Sequence, residues 1–132
     1  MSDDLQYAVR LKVLARYLGR ILLLQAGFSL VPLVFSFVDG DSKLATALLT
    51  GTVVAGIAGW LLSRIPAQPH VQKNEVLVVA ALSFLVGACL NARAMTATGI
   101  APVDAFFEAT SAITTTGLST LENVHERTPS FL

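Results

Sequence analysis

Three long stretches of this chain carry almost no charge, and they restrict its possible folds more than any other feature. Residues 21–38 and 44–63 contain no charged side chain, and residues 76–102 contain only Arg93. A helix needs about 20 predominantly apolar residues to cross the hydrocarbon core of a bilayer. Charged residues make up 14% of the chain, against about 25% in soluble domains. The sequence therefore predicts an all-α integral membrane protein with three transmembrane helices.

The same composition argues against several classes of function. The formal net charge is zero, so no electrostatic attraction to nucleic acid is expected. Cys89 is the single cysteine, which excludes an internal disulfide, and no His, Cys or acidic residues have the spacing of a metal site. Ser111 has no identifiable base partner, so we expect neither an enzyme nor a cofactor.

Residues 1–66 are predicted to form an amphipathic lead-in followed by a two-helix transmembrane hairpin. Pro32 removes a backbone donor inside the first span and favours a kink there. The turn at residues 38–43, VDGDSK, is short enough only for a tight connection. Ahead of the first span, basic residues recur at helical spacing, which is typical of a segment at a membrane surface: Arg10, Lys12, Arg16 and Arg20.

The second predicted span carries small residues four positions apart, at Gly51, Ala55 and Gly59. This spacing lets two helix backbones approach closely in lipid, which predicts a packing seam against another span. The alternative is that glycine is simply more frequent in membrane helices than in soluble ones. Trp60, near the end of the span, suits the aromatic belt at a membrane interface.

The basic residues predict the orientation. Four precede the first span, and Arg64 and Lys73 lie between the second and third spans. The opposite side has Lys43, Arg93 and Arg127. Basic residues concentrate in cytoplasmic loops, so the N-terminus is expected in the cytoplasm and the third span ends at the outer face. The predicted location is the cytoplasmic membrane, as a multi-pass protein in contact with lipid.

A short apolar helix is predicted after the third span, within the segment DAFFEATSAITTTGLST at residues 104–120. Pro102 favours a first helical turn. A helix over residues 102–113 is about 18 Å long and cannot cross about 30 Å of hydrocarbon, so it fits a re-entrant segment that dips in from one face. Asp104 and Glu108 are interpreted as helix-start and solvation residues, or alternatively as acids that attract cations at the outer mouth.

The threonines after this helix predict a change of backbone. Thr114, Thr115 and Thr116 are β-branched and disfavour further helix, and Gly117 permits a conformation closed to other residues. Irregular backbone at membrane depth must be buried in protein or line a watery cavity, and polar threonines favour the cavity. Carbonyl oxygens along an extended strand, together with the negative end of the helix dipole, suit a dehydrated cation.

This arrangement of a short helix and the run TTTGLST after DAFFEATSAI resembles the first pore loop of the Trk/Ktr/HKT superfamily of potassium transporters, most closely the TrkH type. The resemblance covers residues 74–120, and the preceding hairpin resembles the extra N-terminal helix pair of that type. It implies potassium uptake through a selectivity filter built by four covalently linked repeats, each a span, a pore helix, a filter strand and a second span. By resemblance, four backbone carbonyls form one quarter of the filter and coordinate K⁺: those of Thr115, Thr116, Gly117 and Leu118.

The resemblance also implies partners, namely the remaining pore repeats, a homodimer of full-length subunits and a cytosolic nucleotide-binding regulatory subunit. Residues 67–132 are then a first pore repeat, truncated before its second span at Leu132. We expect these residues alone not to conduct, because one filter strand cannot surround an ion. The alternative is a small membrane interaction or assembly protein that uses helix packing and has no transport activity.

Overall fold

A computed structural model describes residues 9–120 of the chain as five helices and their connections. No strand occurs within that range. The helices are α1 (Leu11–Phe28), α2 (Leu30–Val38), α3 (Ser42–Ser63), α4 (Lys73–Ala97) and α5 (Pro102–Ile113). Three helical stretches are long and apolar enough to cross a membrane: α1 with α2 (28 residues), α3 (22 residues) and α4 (25 residues). The predicted all-α architecture with three membrane-length helices is confirmed.

Some predictions fall outside the described residues. The start of the lead-in at residues 1–8 and the outer connection that contains Arg127 and ends at Leu132 both lie there. The predicted division near residue 66 falls in the linker between α3 and α4, and it stays a prediction.

The first span is interrupted three residues before its proline. Only Ser29 separates α1 from α2. Pro32 has no N–H to donate to the carbonyl of Phe28, so the helical hydrogen bonding is broken at this point. Ser29 Oγ lies 2.7 Å from Thr52 Oγ1 on α3, within hydrogen-bond distance. This hydroxyl pair connects the interruption to the neighbouring helix.

The turn between α2 and α3 is as tight as the sequence predicts. The N–H of Gly40 donates to the carbonyl of Phe37 (3.3 Å) and that of Asp41 to the carbonyl of Ser36 (3.1 Å). Gly40 has φ +74°, and the pair of bonds is a Schellman motif, which ends α2. The Asp41 carboxylate then accepts the N–H of Leu44 (3.1 Å) and caps the start of α3.

Backbone-to-backbone packing joins α1 and α3 at Gly19 and Gly59. A methyl group added to Gly59 would lie 2.8 Å from the Gly19 carbonyl oxygen, and one added to Gly19 would lie 2.5 Å from the Ser63 nitrogen. Ala55, one turn before Gly59, is 3% exposed. The predicted seam is therefore confirmed at Ala55 and Gly59. It does not include Gly51, where an added methyl group meets no atom of the described residues within 4 Å.

An ion pair joins the start of α1 to the start of α4. Glu75 is fully buried, and its two carboxylate oxygens lie 2.8 Å from Nε and Nη2 of Arg10. The backbone N–H groups of Arg10 and Gln72 also donate to this carboxylate (3.0 and 2.9 Å). The hydrogen bond to Glu75 raises the pKa of Arg10, so the guanidinium stays protonated and positively charged. Two-point hydrogen bonding of this kind fixes geometry as well as charge.

The same end of α1 holds the linker between α3 and α4. Its side chains donate to three linker carbonyls: Arg10 to His70 (2.7 Å), Arg16 to Ala67 (3.0 Å) and Tyr17 to Pro69 (3.2 Å). Two of the four basic residues predicted to face the membrane surface therefore bind protein instead. Lys12 and Arg20 are exposed, and the Arg20 guanidinium lies 5.3 Å from the centre of the Tyr17 ring.

Candidate functional site

The candidate site is built on α5, which packs on the second half of α4 through small side chains. Ala105 and Ala109 of α5 are 0% and 1% exposed, and they form one apolar cluster with Ala92 and Ile100. Alanines at this spacing place one face of α5 directly against α4. The helix begins at Pro102 and ends at Ile113, the bounds that the sequence predicts.

The end of α5 is a second Schellman motif, and a threonine occupies its left-handed position. The N–H of Thr115 donates to the carbonyl of Ala112 (3.1 Å), and that of Thr116 to the carbonyl of Ser111 (2.9 Å). Thr115 has φ +56°. The prediction that the threonines end the helix is confirmed. They do so by a left-handed residue rather than by passing directly into extended backbone.

The backbone of Thr115 is strained, in contrast to the left-handed residues that follow α2 and α4. After α2 and α4 the corresponding residues are glycines, Gly40 (φ +74°) and Gly99 (φ +91°). A left-handed conformation costs an L-residue about 1–2 kcal/mol, and it is unusual for a β-branched side chain. Gly117, two residues after Thr115, has φ +71°. The loop at residues 114–117, named here the threonine loop, therefore contains two left-handed residues around Thr116.

We expect Thr115→Gly to stabilise the protein by about 0.5–1 kcal/mol, since the relieved strain exceeds the extra unfolded-state entropy of glycine. Gly40→Thr is the matched reverse change in the same motif, and it is expected to destabilise by about 1–2 kcal/mol. Thermal unfolding of the purified protein in detergent measures both. A lower midpoint for Thr115→Gly than for the parent chain would contradict the assignment of strain.

After the threonine loop the chain returns along α5 and is held by a serine. Ser111 Oγ donates to the carbonyl of Leu118 (2.7 Å) and accepts the N–H of the same residue (2.8 Å). Ser111 is buried, with 7% of its surface exposed. One hydroxyl thus satisfies both backbone groups of Leu118 and fixes where the loop ends.

A buried carboxylate holds the next two residues of this return segment, residues 118–120. Glu108 Oε1 accepts three donors: Ser119 Oγ (2.9 Å), Thr120 N (2.5 Å) and Thr120 Oγ1 (3.2 Å). Glu108 is 9% exposed. It is therefore not the solvated helix-start residue of the sequence interpretation. Its position three residues before Ser111 places both anchors on one face of α5.

The structure places the four predicted filter residues together at this loop, all exposed in the single chain. The carbonyl of Leu118 is occupied by Ser111, as described above. Among residues 9–120, no group donates to the carbonyl oxygens of Thr115, Thr116 or Gly117. The threonine hydroxyls bond within the loop and helix end, with Thr114 Oγ1 2.7 Å from Thr116 Oγ1. The unengaged oxygens are therefore those of the main chain.

Two anchoring residues, Glu108 and Ser111, were missed as site residues by the sequence interpretation. A sequence signal for them does exist. Both lie on the alanine face of α5, where Ala105 and Ala109 mark the buried side, and a polar residue on a buried face needs a partner. Within the described part of the chain, no group of three or more His, Cys, Asp or Glu residues could hold a metal ion.

Comparison with known proteins finds low sequence similarity between this chain and a protein named as a transporter. An uncharacterized cation transporter of Methanocaldococcus jannaschii is 28% identical to this chain over 117 residues. The match covers 87% of this chain and 24% of that protein, so the chain spans about a quarter of the relative's length. No protein-family profile matches the chain, and no solved structure matches it. Together with the three apolar helices, this similarity indicates a multi-pass membrane protein.

Proposed function

We propose that this chain forms the N-terminal part of a membrane cation transporter and contributes one quarter of its ion pathway. The relative's name supports cation transport in general. The observation that carries the proposal is the threonine loop, where three consecutive main-chain oxygens accept no hydrogen bond from residues 9–120 at the end of a short helix. The finer assignments, potassium as the ion and a re-entrant TrkH-type pore loop, rest on the resemblance of residues 74–120.

The chemistry of the loop favours an alkali cation over a divalent one. Its available ligands are neutral carbonyl oxygens, and such oxygens replace the water around a dehydrated potassium ion in filters of this kind. The loop follows the C-terminus of α5, whose dipole end carries about half a negative charge. Divalent cations generally require carboxylates in addition to carbonyls. Thr115, Thr116 and Gly117 are therefore the proposed K⁺ ligands, and Leu118 is the point at which the filter segment is anchored.

The proposed transporter requires more than these residues. A single loop cannot surround an ion, and the relative is about four times as long as its match to this chain. The remaining pore repeats, the homodimer and the cytosolic nucleotide-binding subunit are part of the proposal on grounds of resemblance. The cytoplasmic membrane and the cytoplasmic N-terminus are proposed from the distribution of basic residues, and the absence of enzymatic activity and of a cofactor from the lack of a nucleophile–base pair. A reading frame that continues past Leu132 into further pore repeats would favour transport over the alternative assembly role.

Gly117→Ser in the complete transporter tests the filter assignment. An added methyl group at Gly117 meets no atom of residues 9–120 within 4 Å, so the change acts on the backbone rather than through a clash with them. The left-handed conformation then costs about 1–2 kcal/mol, which corresponds to roughly tenfold in an equilibrium constant. We expect the ratio of potassium to sodium uptake to fall by about that factor. Uptake of both ions into potassium-depleted cells measures it.

The matched control is Gly99→Ser. Gly99 also has positive φ and open space around an added methyl group, but it lies in the turn before α5. This variant carries the same backbone strain and should keep the parent selectivity. An unchanged potassium-to-sodium ratio in Gly117→Ser, at normal expression, would refute a filter role for the threonine loop.

A further inference from the structure

A cavity of about 360 Å³ lies between the N-terminal hairpin, α4 and the last residue of α5. Most of its lining is apolar, including Ile113 at the end of α5. Polar side chains enter it from α1, the α1–α2 interruption, α3 and α4: Gln25, Ser29, Thr52, Ser83 and Asn91. All of them lie in or beside helices that are long and apolar enough to cross a membrane. The cavity therefore needs its own explanation.

One oxygen in this cavity has an unmet hydrogen-bonding need. Gln25 Nε2 donates to the carbonyl of Ser83 (3.1 Å), and this bond fixes the orientation of the amide. In the reverse orientation the amide oxygen would face the carbonyl oxygen, and both of these atoms are acceptors. An added methyl group on Gly87 would lie 2.8 Å from the same Nε2, so the amide lies directly against the Gly87 backbone. Gln25 Oε1 is buried, and no group among residues 9–120 donates to it. A buried acceptor without a donor is costly in an apolar environment.

The neighbouring polar groups are acceptors more than donors. Ser29 Oγ donates to the carbonyl of Ala26 (2.8 Å), so Thr52 supplies the hydrogen shared between their two hydroxyls. Both hydroxyl hydrogens are then used, and the oxygen of Thr52 can still accept. Asn91 Nδ2 donates one of its two hydrogens to the carbonyl of Gly87 (2.9 Å). Gln25 Oε1 and Thr52 Oγ1 can therefore accept, and Asn91 Nδ2 can donate its second hydrogen. These groups suit a ligand that donates two hydrogen bonds and accepts one.

We infer that this cavity is a water site, in which ordered water donates to Gln25 Oε1 and joins the hairpin to α4 beside the end of α5. Buried waters occur where two to four polar partners meet in a space of at least one water volume. The cavity exceeds that volume, and Gln25, Thr52 and Asn91 line it with groups that can bond a water. Its lining holds amide and hydroxyl groups and no carboxylate, so it lacks the ligands that a divalent cation requires. The inference does not depend on the proposed transport function.

Cysteine accessibility tests the water site in the full-length protein in its membrane. The background is Cys89→Ala, so that the introduced cysteine is the single thiol of residues 9–120. Thr52→Cys places a thiol in the cavity, and Val53→Cys places one at the adjacent position outside it, where Val53 is 48% exposed. The probe is a charged, water-soluble methanethiosulfonate. It reacts with the thiolate, and each unit of thiol pKa changes the thiolate fraction about tenfold.

We expect the cysteine at position 52 to react at least about tenfold faster than the one at position 53. Adding Gln25→Leu should slow it toward the rate at position 53, because the apolar side chain removes the water's acceptor. Equal rates at the two positions would mean that lipid or protein fills the cavity, and would overturn the inference. So would a fast rate that Gln25→Leu leaves unchanged. If potassium but not choline slowed the reaction of the cysteine at position 52, a cation would occupy the cavity in place of water. That result would also overturn the inference.

Discussion

Gly59→Leu is expected to force α1 away from α3 and to lower the free energy of unfolding by about 3 kcal/mol or more, the upper range for overpacked sites. The reason is that the atoms facing Gly59 cannot move aside independently. An added methyl group would lie 2.8 Å from the Gly19 carbonyl oxygen and 3.0 Å from the Leu23 nitrogen, both of which belong to the α1 backbone. The helix must therefore shift as a unit. Thermal unfolding in detergent and the yield of monodisperse protein measure the effect.

Gly51→Leu is the matched control, since it makes the same change two turns earlier on the same helix. An added methyl group there meets nothing within 4 Å, and the position lines the cavity beside Gln25. The gain in apolarity and the loss of glycine are identical in the two variants. The two variants differ in the contact with α1 and in the cavity, which residue 51 lines and residue 59 does not. Equal destabilisation by both substitutions would show that glycine content, rather than the α1–α3 contact, stabilises the hairpin.

The helices of this protein could be predicted from sequence because their signals are local. Charge-free stretches of membrane length mark the spans, and Pro102 marks the start of α5. The three threonines after Ile113 mark the end of α5, because β-branched residues disfavour its continuation. Each of these signals lies within a few residues of the boundary that it sets.

Contacts between distant segments could not be predicted in the same way. Gly19 is the partner of Gly59, but it stands among basic and bulky residues and belongs to no repeated pattern of small ones. Arg10 and Glu75 are 65 positions apart, and a positive charge near a span is equally compatible with lipid. Their pairing depends on how α1 and α4 pack, which single-sequence periodicity does not contain.

The candidate site shows the same difference between features with a local sequence signal and contacts between distant residues. The threonine loop was predicted because threonines and a glycine follow a short apolar helix. Its anchors were not, because a hydrogen bond from Glu108 to residues 119 and 120 exists only once the chain has turned back on itself. The left-handed conformation of Thr115 was also not predictable, because β-branched residues rarely adopt it. Such strain persists only where surrounding contacts enforce it, as the hydrogen bonds from Ser111 and Glu108 do here.

Glu108→Ala is expected to release the return segment and to reduce cation uptake on the order of 100-fold, since hydrogen bonds to a charged acceptor contribute about 1.5–3 kcal/mol each. The variant removes Oε1, which accepts hydrogen bonds from Ser119 and Thr120. Without these bonds, the left-handed residues of the threonine loop lose the contacts that enforce their conformation. The potassium-to-sodium uptake ratio should fall together with the rate.

Two further variants separate positioning of the loop from general folding and from surface charge. Glu108→Gln keeps an acceptor oxygen at the same place and should restore a substantial part of the uptake and most of the selectivity. Asp104→Ala removes an acid one turn earlier on α5, where the side chain is partly exposed, and should leave the selectivity unchanged. If Glu108→Ala transports at the parent rate and ratio, the carboxylate does not position the loop. If Asp104→Ala alone lowers uptake, the acids of α5 act by attracting cations, because a charge at the pore mouth raises local ion concentration without shaping the filter.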